Sequence, residues 1–326
     1  MDNILVTGGA GYIGSHVCKE LALEGFNPIT YDNLDNGNLT AVKWGPFEKG
    51  DILDTSRFCS ILKKYKPKAV MHFAALANVG ESFKNPLKFY KNNIFGSQSI
   101  LDSMINENIE YFIFSSTCAV YGIPHKKRID EKTPLSPISP YGLSKLIVEE
   151  SLKQSKYANK IKSISLRYFN ASGADLDGEI GESHFPETHL IPKIIEVSRG
   201  LSDHINIYGN DYDTPDGTCI RDYIHVKDIA RAHILALFFI LKFKKSDFFN
   251  LGTGLGFSVN EIIKEVEIQS ERKIEISINK KRNGDPPMLI ADASKAKKIL
   301  KWEPKYSSIQ QIINSALKWN PLIKKT

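Results

Sequence analysis

The stretch Ile4-Leu5-Val6-Thr7-Gly8-Gly9-Ala10-Gly11-Tyr12-Ile13-Gly14 decides the fold. Apolar residues suited to a buried strand run straight into glycines, and a helical pattern starts immediately after them. Gly8, Gly11 and Gly14 recur every three residues. That spacing serves a tight turn, a close backbone approach to a pyrophosphate, and a helix packed closely on the strand. The N-terminus of such a helix offers unpaired N–H groups and partial positive charge to phosphates. A glycine pattern alone is weak evidence; its place between strand and helix is the context that a dinucleotide site requires. Ile13, Val17, Leu21 and Leu23 give an apolar face to a helix expected over residues 12–24, which Gly25 ends. Pro28-Ile29-Thr30-Tyr31 reads as the second strand. Asp32 follows, about twenty residues past the last glycine, where a carboxylate would bind an adenosine ribose 2′-OH. A carboxylate there repels a 2′-phosphate, so NAD is favoured over NADP.

Around that stretch lie 326 residues, enough for two domains or one large α/β domain, with 42% hydrophobic and 25% charged residues. The net charge is +6, but its lysines are scattered, and Lys242, Lys244, Lys245, Lys324 and Lys325 read as solvated helix ends or tails. No basic stripe carries interleaved aromatics, so no nucleic acid partner is expected. A first strand at residue 3 leaves no room for a signal peptide. The longest apolar run, residues 234–241, is too short to cross a bilayer, so no membrane association is expected. Cys18, Cys59, Cys118 and Cys219 are widely spaced and form no metal-ligand pattern; buried thiols in a reducing cytoplasm are the expectation, with no metal.

Strand-like and helical runs alternate through the first half, which argues for βαβ units and a parallel sheet. A short strand is expected over residues 48–52, ending at Asp51, which could meet an adenine amino group or equally cap a helix. Ala69-Val70-Met71-His72-Phe73 is the next buried strand, and Ala74-Ala75-Leu76 after it are small enough to let a flat cofactor lie close. His72, within an apolar strand, reads as a core histidine before it reads as a catalyst. Pro86 opens a long helix on which Asn92 faces the expected cofactor side. Tyr111-Phe112-Ile113-Phe114 delivers Ser115-Ser116-Thr117 to a strand end, where open α/β sheets bind ligands, though hydroxyls there could simply cap the strand.

The chemistry becomes specific at Tyr141-Gly142-Leu143-Ser144-Lys145, on a helix that Pro140 opens. Residues four apart share a helix face, so phenol and ammonium are neighbours. A free tyrosine has a pKa near ~10, and work as a base near neutrality needs a drop of ~3 units, roughly 4 kcal/mol in favour of phenolate. Lys145 and a nicotinamide cation carry charge of the right sign.

With these residues together, the chain resembles the NAD-dependent epimerase/dehydratase family of extended short-chain dehydrogenases/reductases, and within it the UDP-glucose (UDP-galactose) 4-epimerases. The resemblance runs over nearly the whole length. It is carried by Val6 to Gly14 with Ser15-His16, Asp32-Asn33-Leu34, Val79-Gly80-Glu81-Ser82, Phe114-Ser115-Ser116-Thr117, Arg167-Tyr168-Phe169-Asn170, Gly209-Asn210-Asp211-Tyr212 and Gly217-Thr218-Cys219-Ile220-Arg221-Asp222-Tyr223-Ile224-His225-Val226.

The resemblance implies that Tyr141 takes the proton of the sugar 4-OH while hydride leaves C4 for NAD. It implies that Lys145 binds the nicotinamide ribose and lowers the Tyr141 pKa, and that Thr117 hydrogen-bonds the same sugar oxygen. The 4-keto sugar then turns over, and hydride returns to its opposite face. Gly8, Gly11, Tyr12, Ile13, Gly14, Asp32, Asn33, Asp51, Ile52, Phe73, Ala74, Ala75, Asn92 and Phe169, with Thr117, Tyr141 and Lys145, match cofactor contacts. Asn170, Leu190, Tyr208, Arg221, Arg282, Asp285 and Leu289 match substrate contacts. Arginine suits phosphate because it presents a fork of donors; the alternative for Arg221 is a salt bridge to Asp222 or Asp228. Asp285, in Gly284-Asp285-Pro286-Pro287, either holds uridine ribose hydroxyls or shapes a turn. Leu289 matches a wall beside the sugar C2 substituent.

Two departures stand out. Ala77-Asn78 replace a lysine frequent in the family, which removes one cation near cofactor and diphosphate, and Thr117 stands where serine is frequent. The expected architecture is a doubly wound parallel sheet over residues 1–170, to which 221–251 returns, with a UDP-sugar lobe from 171 to 326. Lobe helices are expected near 259–270, 294–300 and 309–319, and a helix over 228–241 in the returning segment. A homodimer through a four-helix bundle is also implied. A 4,6-dehydratase would need an acidic pair directly after Thr117, where Cys118 and Ala119 stand. A dehydrogenase shares the Tyr/Lys pair, and a non-catalytic NAD sensor could discard it.

Overall fold

Strand β1 (Asn3–Thr7) runs through the middle of a seven-stranded sheet, and its place there follows from its burial. Ile4, Leu5 and Val6 are fully buried, with apolar layers on both faces, as a parallel strand requires. The computed structural model describes residues 1–158, 161–282 and 285–319. Lys324, Lys325 and Gly284 lie outside the described residues.

The other strands are β2 (Asn27–Asp32), β3 (Phe47–Lys49), β4 (Ala69–His72), β5 (Tyr111–Thr117), β6 (Lys162–Tyr168) and a last one, Asp247–Leu251. Their order is Asp247–Leu251, β6, β5, β4, β1, β2, β3, and every pairing is parallel. The order reverses between β1 and β4, so a crevice opens at their C-terminal ends. This is the Rossmann-type fold. The helix α1 (Tyr12–Leu23) and the Val226–Phe243 helix cover one face, burying Val17, Leu21, Ile229 and Leu237 against Val6 and Met71. The Thr55–Tyr65, Gly96–Asn106 and Pro140–Ala158 helices cover the other, with Phe58, Leu101 and Val148 against Leu5 and Val70.

Several expectations change at their edges. Residues 48–52 do not form one strand: β3 stops at Lys49, and Asp51 lies in the turn beyond. Asp51 is not a helix cap either, because Asp54 caps the next helix by accepting from the Arg57 amide at 2.9 Å. The helix opened by Pro86 passes through a π-helical stretch, Tyr90–Phe95, before continuing as Gly96–Asn106. The helix expected over 228–241 begins earlier, at Val226, and runs to Phe243. Of the returning segment, the helix and the Asp247–Leu251 strand join the large sheet layer. Tyr223–His225 pairs instead with Asn170–Ser172, and Ile220–Arg221 lies in a small sheet with Phe257–Ser258 and Met288–Leu289. The helices Val259–Ser270 and Ile309–Lys318 form the separate part expected of them, where Ile262, Ile263, Ile309, Ile312 and Ile313 join one cluster with Ile191 and Ile194; the Ser294–Leu300 helix, expected in the lobe, instead packs Ala296 and Leu300 into the core of the large sheet layer. The Ser258–Glu261 capping box starts the first of these helices.

Candidate active site

The glycine turn is built by close approach. Gly8 has φ +73°, and a Cβ there would meet the Ala74 amide at 2.5 Å, so only glycine allows the exit of β4 to lie against it. A Cβ on Gly14 would overlap the Gly8 carbonyl oxygen, which seats the helix on the turn. At Gly11 a Cβ would press on the Gly8 carbonyl oxygen at 3.2 Å, so a side chain is disfavoured there too. Gly11 is the N-cap of α1, and the first amides of that helix, including those of Tyr12 and Ile13, have no intrahelical acceptor. The Tyr12 hydroxyl points away and donates to the Gly173 carbonyl at 2.6 Å.

Asp32 ends β2 beside this turn. It accepts from the Ala10 amide at 3.1 Å and from the Leu34 amide at 2.9 Å, and burial raises its carboxyl despite them. Asn33 follows and donates to Asp51 at 3.0 Å, while Asp51 accepts from the Leu53 amide at 2.8 Å. Ile52 is buried against Gly96. Phe73, Ala74 and Ala75 line the exit of β4, half-buried, with the Phe73 ring 4.7 Å from His233. His72 belongs to the core: it meets the Thr7 hydroxyl at 2.7 Å and the Ser97 hydroxyl at 2.9 Å, and burial pushes it down to about 3.

Thr117 ends β5, and its hydroxyl lies beside the Tyr141 phenol, where it opposes the upward push of burial. It also accepts from the Ala119 amide at 3.1 Å. Tyr141 and Lys145 lie in the first turns of the Pro140–Ala158 helix, as the spacing requires. The Lys145 ammonium, buried, donates to the Ser115 carbonyl at 2.9 Å and sits 4.8 Å from the centre of the Phe114 ring. Burial pushes Lys145 down to about 7 while Glu149 holds it up; burial pushes Tyr141 up to about 12. The ammonium donates to the Ser115 carbonyl, and desolvation dominates at the phenol.

The other candidates converge from the lobe. Arg221 pairs with neither Asp222 nor Asp228 but with Asp285, so two candidate substrate residues hold one another. Asp222 instead accepts from Thr253 and Gly254, and Asp228 from Lys305, Tyr306 and Ser307. The Arg282 guanidinium lies 3.9 Å over the Tyr208 ring. Leu190 opens the Leu190–Ser198 helix, and Asn170 opens a strand after the buried Phe169. Leu289 lies beside Arg221 in parallel register and packs with Cys118, Val120, Tyr121 and Phe169. Of the four free cysteines, Cys59 is only half-buried.

Three groups were not legible from spacing. Asn92 donates to Asn93 at 3.0 Å, and it is Asn93, fully buried, that ties Leu76 to the Ser144 hydroxyl on the catalytic helix. Its placement depends on the π-helical stretch, which shifts the face by one residue. Glu149 and Arg167 form a buried ion pair beneath Ser116. Glu182, His184, Glu187 and His189 gather with ligand-competent atoms within 4.8 Å of one another, at a spacing that matches no familiar metal-ligand motif. Both imidazoles reach Glu182, and Glu187 accepts from the Thr188 and His189 amides at 2.6 and 2.8 Å.

A glycine turn at the switch point of a parallel sheet, an acidic end to its second strand, and a Tyr/Lys pair facing a strand-end hydroxyl define an extended short-chain dehydrogenase/reductase. A family model described as GDP-mannose 4,6 dehydratase matches residues 5–315. The UDP-glucose 4-epimerase of Rhizobium meliloti is 47% identical over 319 residues, 98% of this chain and 97% of that protein. The crystal structure of UDP-glucose 4-epimerase from Brucella ovis in complex with NAD superposes with a TM-score of 0.94 at 48% identity, covering 97% of this chain and 98% of that one. The Bifidobacterium longum enzyme in complex with NAD+ and UDP gives 0.93 at 37% identity, with 97% of each chain covered. The chain belongs to the UDP-glucose 4-epimerase family.

Proposed function

We propose that this protein interconverts UDP-glucose and UDP-galactose with NAD as a cofactor regenerated in each turnover. The observation that carries the reading is the Thr117 hydroxyl at the end of β5 beside the Tyr141 phenol, with Lys145 one helical turn on and Cys118 and Ala119 rather than carboxylates after Thr117. The NAD site fits: the glycine turn and the unpaired first amides of α1 suit a diphosphate, and the Asp32 carboxylate beside them suits ribose hydroxyls. When bound, NAD accepts a hydride from the sugar C4 and donates one back.

Tyr141 takes the proton of the sugar 4-hydroxyl and later returns it, with the Thr117 hydroxyl fixing the phenol and the sugar oxygen. The chain's own source of positive charge for the phenolate is Lys145. Arg221 and Arg282 bind the UDP diphosphate, Asp285 the uridine ribose, and Asn170, Leu190 and Tyr208 the rest of the nucleotide. Leu289 walls the sugar. Residues 1–170, with 221–251 returning, form the cofactor part, and 171–220 with 252–326 the substrate lobe. The protein works in the cytoplasm; among the described residues no helix is long and apolar enough to cross a membrane.

It works as a homodimer. Leu87, Phe95, Leu143 and Ile147 are exposed on helices that pack side by side, and Leu53, Leu87, Tyr90, Ile94 and Phe95 line a groove there. Such a patch fits a helix pair from a second copy.

A 4,6-dehydratase must also move a proton and a hydroxyl at C5 and C6. Burial pushes the Cys118 thiol up to about 12, which leaves no acid–base group in that position. Incubating the protein with UDP-galactose, with and without added NAD+, tests the reading: UDP-glucose is the expected product. A 4-keto-6-deoxy sugar, or net accumulation of NADH, would replace it with dehydration or simple oxidation. Tyr141→Phe is expected to lose at least a hundredfold in kcat while still binding NAD, in line with the ~10²–10⁴ of general acid–base groups.

A further inference from the structure

Beneath the catalytic strand end lies a chain of buried polar groups that no step above uses. The Arg167 guanidinium donates through Nε to both Glu149 oxygens at 2.9 and 3.1 Å, and through a second nitrogen to the same carboxylate. Its remaining nitrogen donates to the Tyr121 hydroxyl at 2.9 Å. Tyr121 donates to Asn250 at 2.7 Å, and Asn250 donates to the Ile129 carbonyl at 2.9 Å. Both charged side chains are almost wholly enclosed, 3% exposed for Arg167 and 7% for Glu149. A buried pair of this kind seldom adds net stability over apolar residues of like volume, so a role in specifying geometry is the better account of it.

What Glu149 touches shows that role. Its carboxylate accepts from the Ser116 hydroxyl. Ser116 lies between Ser115, whose carbonyl receives Lys145, and Thr117, whose hydroxyl meets Tyr141. Along the helix Tyr141, Lys145 and Glu149 are spaced by four, so all three share one face. We propose that Glu149, clamped by Arg167, is a positioning residue of the epimerase: it locks Ser116, thereby sets the Ser115 carbonyl and the Thr117 hydroxyl, and keeps a negative charge one helical turn from Lys145. This rests on the reaction proposed above.

The charge has a definite effect on Lys145. Burial drives the ammonium down, and Glu149 is the one charge opposing that among the described residues. The other titratable groups around it are Tyr141 on its own helix, His72 from β4 and Tyr168 from β6, whose hydroxyl meets Ser115. None supplies negative charge near neutrality: His72 is pushed down to about 3 and stays neutral, and burial pushes both phenols up. Without the Glu149 charge, Lys145 loses its proton at lower pH.

The test measures kcat, KM and the pH profile for UDP-galactose in wild type, Glu149→Gln, Glu149→Asp and the double variant Glu149→Gln/Arg167→Gln, with melting temperatures alongside. Glu149→Gln is expected to lower kcat at least ~10-fold with KM within about twofold, and to move the alkaline limb of the profile to lower pH by about half a unit or more. Glu149→Asp recovers part of both. The double variant removes the stranded arginine charge, so it regains melting temperature but neither rate nor limb, and it carries the comparison if Glu149→Gln alone does not fold. A wild-type kcat and limb in Glu149→Gln, or a double variant that regains rate together with stability, overturns the positioning role. Absence of UDP-glucose from the wild-type protein overturns the reaction itself.

Discussion

Leu289 is the residue on which we expect substrate range to turn. It is nearly buried between Arg221 and the Cys118–Phe169 cluster, so an N-acetyl group at the sugar C2 would have to displace packed atoms, at a cost of roughly 1–3 kcal/mol. UDP-glucose and UDP-galactose are the expected preferred substrates, with N-acetylated forms weak. Leu289→Ala should raise kcat/KM for UDP-N-acetylgalactosamine relative to UDP-galactose, and Leu289→Tyr should lower it; a ratio indifferent to residue 289 places the wall elsewhere. A second residue-scale effect belongs to the Glu182–His189 pair. Glu182 holds His189 up at about 9 against an ordinary 6.5, so this stabilisation is complete below 6.5 and lost as pH rises through about 9. On the acid side, the histidines outweigh the burial penalty and hold Glu182 at about 2 against an ordinary 4.5. Its contribution is present above 4.5 and lost as pH falls through about 2. Between pH 6.5 and about 9.5 the wild-type melting temperature should fall more steeply than that of His189→Gln, and equal slopes would remove the pair from the account. Neither the partner of Arg221 nor this pair's burial could be read from the sequence. Arg221 meets Asp285 across 64 positions, and its nearer acids, Asp222 and Asp228, are occupied by backbone amides.

Elements were legible where periodicity had room to show. The helices Val259–Ser270 and Ser294–Leu300 stand at their expected limits, and β1, β2, β4 and β5 stand where apolar runs meet turn residues. The strands Ile220–Arg221, Phe257–Ser258 and Met288–Leu289 carry two residues each, too few for any alternation, and only tertiary pairing creates them. The π-helical stretch was hidden for a different reason: one extra residue in a turn leaves no mark on composition, and Asn93 within it meets Ser144. The short helix Val79–Lys84 bears on the cofactor. Asn78 is its cap, accepting from the Glu81 amide at 2.9 Å, so the position that follows Ala77 is spent on the backbone and offers no charge to a diphosphate. Purified protein should therefore gain activity when NAD+ is added after extensive dialysis. Full cofactor occupancy with no stimulation would show that other contacts suffice.

For the whole molecule, the apolar face across the Pro86–Phe95 and Pro140–Ala158 helices predicts the assembly. Phe95→Glu combined with Leu143→Glu places two charges where Phe95 is 65% exposed and Leu143 37%, so neither monomer core loses packing. The variant should elute as a species near the 36.6 kDa of one chain, while the wild type elutes at twice that; an unchanged wild-type monomer would leave the patch unclaimed. A last consequence comes from the strand Asp247–Leu251, which completes the sheet beside β6 and brings Asn250 onto the Tyr121–Arg167 chain. On the ribosome, β6 is made long before that partner. Roughly 80 further residues must follow, which takes about 4–16 s at ordinary rates of synthesis. Through that interval the nascent sheet presents a bare hydrogen-bonding margin, with Arg167 short of its outer seal, and such a margin templates pairing between neighbouring chains. Polysome-bound copies halted before residue 247 should thus be the ones that stick to one another, and this protein's yield is governed by how promptly translation delivers its final strand.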